Sequence, residues 1–179
     1  MCTNEINVKK ICSFYVSDWH LTAMLLPYIT NKAQKDENIK TILNKNIKSN
    51  MIELLSRINI EEKIKDKIAK INWENNYKDT YEEINNYMKE QIDGKEKTTI
   101  ILVGTKTEIE NMNKNIDKWI INNIVMLNNK KVNIINCYNV EEFNSNMKEI
   151  LDEHDYMLNT SGEHEISEMF EGYSKKSVS

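Results

Sequence analysis

The sequence predicts an α/β fold: a single doubly wound, mainly parallel sheet of about five strands with helices on both faces. Three observations lead there. Short apolar runs alternate along the chain with segments whose apolar residues recur every 3.6 positions. One run, "TTIILVG" (Thr98–Gly104), has four consecutive apolar residues, Ile100 to Val103, as a central parallel strand buried on both faces would. Crossovers between parallel strands are right-handed, which puts helices on both faces of the sheet.

"ICSFYV" (Ile11–Val16) reads as the first strand. A helix follows from about Asp18 to Asp36, with Leu21, Met24, Leu25, Tyr28, Ile29 and Ala33 on one face. Pro27, the only proline, removes one hydrogen bond from it and predicts a kink. "IKTIL" (Ile39–Leu43) is the second strand, and Ile47, Met51, Leu54, Leu55 and Ile58 mark the next helix. Asn59 with Glu62 resembles a capping arrangement for a short helix through Ile64. "AKINW" (Ala69–Trp73) reads as a weak strand. Tyr81, Ile84, Tyr87, Met88 and Ile92 give a helix that stops at Gly94.

After the central strand, Thr107 and Glu110 are spaced as a capping box for a helix with Ile109, Met112, Ile116, Trp119 and Ile120 inward. "KVNIINCY" (Lys131–Tyr138) is the next strand. Asn139 and Glu142 are spaced to cap a helix bearing Phe143, Met147, Ile150 and Leu151. "YMLN" adds a short edge strand. The tail carries one or two more amphipathic turns, with Ile166, Met169, Phe170 and Tyr173 on one face. No repeat, low-complexity linker or second domain interrupts this order.

The chain has 179 residues, of which 40% are hydrophobic and 29% charged, with a net charge of −4. That suits one domain with a real core. Arg57 is the only arginine, and no basic cluster stands out, which argues against a nucleic-acid partner. No segment has the roughly 20 apolar residues of a membrane span, and "MCTNEINVKK" lacks the apolar core of a signal peptide. Cys2, Cys12 and Cys137 are odd in number and far apart, forming neither a metal pattern nor a disulfide framework. A reducing cytoplasm is the expected location.

The order of elements and several strings resemble the MEDS domain, a sensory domain of methanogen and methylotroph regulators. "ICSFYVSDWHLTAMLLPYI" is similar in its strand ending in Phe14-Tyr15 and its helix with Pro27 near the middle. "IKTILNKN" followed by "RINIEEKIKDKIAKINW" repeats the family's strand, helices and strand leading to a tryptophan, Trp73. "ILVGTKTEIENMNKNIDKWI" matches its central strand, turn and long helix. "VNIINCYNVEEFNSNMKEIL" matches its last strand, with Cys137-Tyr138 at the end and an early Phe143 in the following helix. The resemblance covers residues 10–160, leaving 161–179 as a C-terminal amphipathic tail. Lys10 stands where the family often has a histidine. The resemblance implies a RecA-like core, a sensory or regulatory role, and no catalysis.

Ligands of open α/β sheets bind at the carboxyl ends of the strands. That rule gathers Ser17, Asp18, Trp19 and His20 after the first strand, Lys45 after the second, Trp73 and Glu74 after the third, Thr105 and Lys106 after the fourth, and Tyr138 and Asn139 after the fifth. Ser17, Asp18, Trp19, His20, Trp73, Tyr138 and Asn139 are the candidate ligand-binding residues, suited to a small polar or aromatic ligand. The plainer reading makes Ser17 or Asp18 and Asn139 helix caps and the tryptophans closures of the core. The glycines, Gly94, Gly104, Gly162 and Gly172, form no phosphate loop, so no nucleotide cofactor is expected. "DEHD" and "GEHE" place acids beside His154 and His164, but at no standard metal spacing, and no catalytic triad spacing is visible. The expected function is a non-catalytic sensory or regulatory domain that binds a small ligand, a signalling protein, or both. Two alternatives stand: a module inhibiting or adapting a signalling kinase, and an unorthodox nucleotide-binding enzyme.

Overall fold

A computed structural model describes residues 7–142, 147–170 and 172. Its elements run β1 (Asn7–Tyr15), α1 (Asp18–Gln34), β2 (Asn38–Leu43), α2 (Lys48–Arg57), α3 (Glu62–Ala69), α4 (Tyr81–Ile92), β3 (Lys97–Val103), α5 (Lys106–Asn122), β4 (Lys131–Asn139), a 3-10 turn (Val140–Glu142), α6 (Met147–Asp152), β5 (Tyr156–Asn159), β6 (Gly162–Glu165) and α7 (Ile166–Met169). They form one six-stranded sheet in the order β2-β3-β4-β1-β5-β6. All neighbours are parallel except the β5–β6 hairpin. No helix among the described residues is long and apolar enough to cross a membrane.

Because strand side chains alternate, β1 to β5 each feed two cores. Ile11 and Tyr15, Ile101 and Val103, and Ile135 and Cys137 pack with α1, α2 and α3. Cys12, Ile100, Leu102, Ile134 and Tyr138 pack with α4, α5 and α6, with Phe14 partly buried against them. Every β3 residue from Thr98 to Val103 is buried, as expected of a strand covered on both sides. Cys12 and Cys137 are free thiols. They belong to different cores, so neighbouring strands hold them apart.

The structure corrects several local expectations. The strand count is six rather than five, because Gly162–Glu165 turns back on β5 where the sequence predicts helical turns. Gly162, with φ of 112°, permits that reversal. β6 therefore takes the edge expected of "YMLN". Among the described tail residues only Ile166–Met169 is helical; Ile166 is buried and Phe170 packs against the same core, while Tyr173 lies outside the described residues. Ala69–Trp73 forms no strand, because α3 runs on to Ala69 and the chain then leaves the sheet edge to side-chain contacts. Asn59 does not cap α3, whose cap is Glu61 without a side-chain bond. The capping box of α5 is Thr105 with Glu108, two residues earlier than Thr107 with Glu110. Asn139 opens a 3-10 turn, its Oδ1 accepting from the Glu141 N–H at 3.0 Å, and among the described residues α6 spans Met147–Asp152. Phe143 lies outside the described residues. α1 continues through Pro27 and stops where Asp36 adopts a positive φ of 58°.

Candidate functional site

β1 and β4 are neighbours in the sheet, yet the segments after them turn to opposite faces. α1 packs in one core and α6 in the other. Their carboxyl ends thus mark a topological switch point, the position at which open α/β sheets bind ligands. Tyr15 pairs with Asn139 at the last rung. Val16 and Val140 follow directly and are 64% and 40% exposed. Trp19, in the first turn of α1, is 45% exposed.

The N-terminus of α1 is filled by the chain itself. Ser17 is its cap and accepts the His20 N–H at 3.1 Å. The His20 side chain turns back, its Nδ1 accepting the Val16 N–H at 3.1 Å, which leaves the ring proton on Nε2. Ser17 and His20 therefore meet through backbone, not as a nucleophile and its base. Asp18 complements the helix dipole from the first turn. Its Oδ1 lies 3.0 Å from the Lys45 Nζ, contributed by the segment after β2. That ammonium also stands 5.1 Å above the Tyr15 ring. Burial pulls the Lys45 pKa down, but the Asp18 carboxylate and Tyr15 outweigh it and leave the group above its ordinary value. Burial pushes the Tyr15 phenol up, partly offset by Lys45.

The structure brings Ser17, Asp18, Trp19, His20 and Lys45 together, with Asn139 next to them across the last β1–β4 rung. It does not bring in the other aromatics. Trp73 is 1% exposed and belongs to the α1–α3 core, its Nε1–H donating to the Ile68 carbonyl at 2.8 Å. It closes the end of α3. Tyr138 belongs to the opposite core, 5.9 Å from Phe14 and 6.1 Å from the His154 ring. The expected common cleft of Trp19, Trp73 and Tyr138 is therefore absent: side chains on alternate sheet faces cannot share one pocket. Glu74 pairs with Lys48 on the surface, Thr105 caps α5, and Lys106 pairs with Glu110 and Glu149.

His154 is a buried structural histidine. Its Nδ1–H donates to the Ile150 carbonyl, and its Nε2 accepts from the Asn136 amide at 2.8 Å. Asn136 and Asn113 in turn pair across β4 and α5 at 2.8 Å. His164 bonds the Ser161 hydroxyl at 2.8 Å. Among the described residues no group of three or more His, Cys, Asp or Glu is placed to hold a metal ion.

Val16 and Val140 are the rim residues that sequence reasoning misses. Val16 reads as the last residue of a strand, and Val140 as the start of a helix. Only the β1–β4 register, which sets them side by side past the last rung, reveals them. No family model matches this sequence, and no curated protein is significantly similar to it.

Proposed function

We propose that this chain is a non-catalytic regulatory domain, MEDS-like with a doubly wound, RecA-like core. In this reading it works in a reducing cytoplasm and recognises a small aromatic ligand or a signalling protein through the rim of Val16, Trp19 and Val140. The observation that carries the reading is the exposure of these three apolar side chains, 64%, 45% and 40%, around one switch point. Scattered exposed aliphatics are ordinary, but here two valines follow the last β1–β4 rung and an exposed tryptophan stands three residues beyond the first of them, the kind of surface a partner would cover.

A nucleotide enzyme fits less well. In a RecA-like core the phosphate loop would follow the first strand. Here that turn holds Asp18, whose carboxylate repels phosphate and occupies Lys45, the nearest cation shown paired there. The cysteines support the reducing compartment, since Cys12 and Cys137 are buried free thiols.

The test is a titration followed by amide and indole NMR signals, using Mg-ATP, benzoate, indole-3-acetate and succinate in turn. It is joined by affinity capture with the wild-type chain and Trp19→Ala. Shifts centred on Val16, Trp19 and Val140, or a protein held by the wild type and released by the variant, support the reading. Mg-ATP shifting the α1 N-terminus, or no ligand response together with identical capture by both chains, refutes it.

A further inference from the structure

We infer that the open edge of β2 is a second docking site, one that takes an extended, acidic segment of a partner protein as an added strand. Among the described residues β2 ends the sheet, pairing only with β3. Alternate residues of a parallel strand point both backbone groups to the same side. The Asn44 N–H donates to the Val103 carbonyl at 3.0 Å, so the even-numbered residues face β3. Ile39, Thr41 and Leu43 therefore face outward.

The upper half of that edge is closed. Asn76 stands in for a neighbouring strand: its Oδ1 accepts the Leu43 N–H at 2.8 Å, its own N–H donates to the Leu43 carbonyl at 3.0 Å, and its Nδ2 donates to the Thr41 carbonyl at 2.8 Å. The Tyr87 hydroxyl also donates to the Thr41 carbonyl at 2.8 Å. Below this clamp the protection thins rather than ends: the Thr41 hydroxyl donates to the Asn72 carbonyl and leaves Thr41 1% exposed, while Ile39 keeps 7%. The N–H and C=O of Ile39 and the N–H of Thr41 face a cleft of about 940 Å³ and have no partner shown among the described residues. The cleft runs between the end of α3, at Lys70 and Ile71, and Tyr87 and Gln91 of α4.

Two features identify the occupant. An edge offering donor, acceptor and donor in strand spacing is complementary to another peptide backbone; the Ile39 carbonyl would repel a bare phosphate. The walls are also cationic in a chain of net charge −4. Six lysines line the cleft against Asp36, Glu37 and Glu96. Lys67 is spent on Asp36 at 2.7 Å and Lys97 on Glu37 at 3.8 Å. Lys35, Lys40 and Lys70 have no ion pair shown among the described residues, and Lys95 has only a longer-range attraction to Asp36. An acidic strand would supply both the backbone complement and the counter-charge. This site is separate from the β1–β4 rim and does not depend on what that rim binds.

The experiment titrates the full chain with the capped peptide Glu-Val-Glu-Val-Glu-Val and reads amide NMR shifts and hydrogen exchange. The expected result is binding with slowed exchange at Ile39 and Thr41. Methylating alternate peptide nitrogens should abolish it. The double variant Lys40→Glu/Lys70→Glu, checked for an unchanged melting temperature, should weaken it about tenfold. Lys35→Glu/Lys95→Glu serves if the first pair fails to fold. Absence of binding, shifts confined to the Trp19 rim, or equal binding of the methylated peptide would each overturn the inference. So would inorganic polyphosphate competing without any protection of Ile39, since that describes a simple anion surface.

Discussion

The Asp18 carboxylate and the Lys45 ammonium meet at 3.0 Å across the carboxyl end of the sheet, although β3 and β4 lie between the strands that precede them. The pair ties the first turn of α1 to the segment after β2. Its side chains keep 44% and 31% of their exposure, so solvent screens the attraction. A double-mutant cycle with Asp18→Asn and Lys45→Met is expected to give a coupling of about 0.2–1 kcal/mol that shrinks with added salt. Calorimetry with Mg-ATP is expected to show no micromolar binding to the intact chain. A salt-independent coupling of several kcal/mol would mean the pair is far drier than its exposure indicates.

β3, buried on both faces, should tolerate truncation poorly. Leu102 is fully buried between α4 and α5 side chains, and Leu102→Ala should cost about 2–5 kcal/mol in chemical denaturation. Val125→Ala, at a position 77% exposed, should stay within about 0.5 kcal/mol. Comparable losses for both would place β3 at a surface rather than in the middle of the molecule.

The Asn76 clamp is a side chain doing the work of a strand, and its removal should be felt locally. Asn76→Ala strands the Leu43 N–H at a part-buried edge, while Tyr87 still serves the Thr41 carbonyl. The expected cost is about 1–3 kcal/mol. Amide exchange should accelerate at Leu43 before it does at Ile101 or Leu102. Uniform acceleration through β2 and β3 would show that the edge does not open independently.

Three tryptophans should answer differently to a soluble quencher. Trp19 is 45% exposed, whereas Trp73 and Trp119 are buried. Acrylamide or iodide should therefore quench only a fraction of the native emission, and Trp19→Phe should remove that fraction without lowering the melting temperature. Quenching that survives the substitution would assign the accessible ring elsewhere.

Much of this architecture is legible in the sequence, because burial on both faces leaves a plain mark. The apolar runs at Ile11–Val16, Ile39–Leu43, Thr98–Gly104 and Lys131–Tyr138 each find their strand. What fails is governed by contacts distant in sequence. Ala69–Trp73 looks like a strand, but a tryptophan indole filling the core and bonding the Ile68 carbonyl produces the same apolar spacing. Gly162–Glu165 looks like tail, because a four-residue edge strand rich in charge has no periodicity to detect. The site was half legible. Helix-start chemistry marks Ser17 and Asp18 in the sequence, but the rule that gathers strand-end residues is silent about sheet faces. Trp73 and Tyr138 consequently drop out.

Alkaline pH should destabilise the chain through its buried thiols and phenols. Burial pushes the Cys12 thiol up to about 12 from an ordinary value near 9.0, and Cys137 higher still. Burial likewise raises the Tyr87 phenol to about 12 from 10.0, with Tyr28 and Tyr138 raised further. Each group is protonated in the folded chain at pH values where the unfolded chain has begun to ionise. Between those values the folded state binds more protons, so the slope of unfolding free energy against pH is negative. Stability should be insensitive to these groups below about pH 9 and fall progressively above it. Denaturation midpoints at about pH 7, 9 and 10.5 should show that pattern. In a native alkaline titration, phenolate absorbance of the buried tyrosines should rise together with loss of helical signal. Thiol reagents should likewise leave Cys12 and Cys137 unmodified until the chain unfolds. Full phenolate titration near pH 10 with the helices intact would contradict the burial of Tyr87 and Tyr138 on which the α4–α6 side of the core is built.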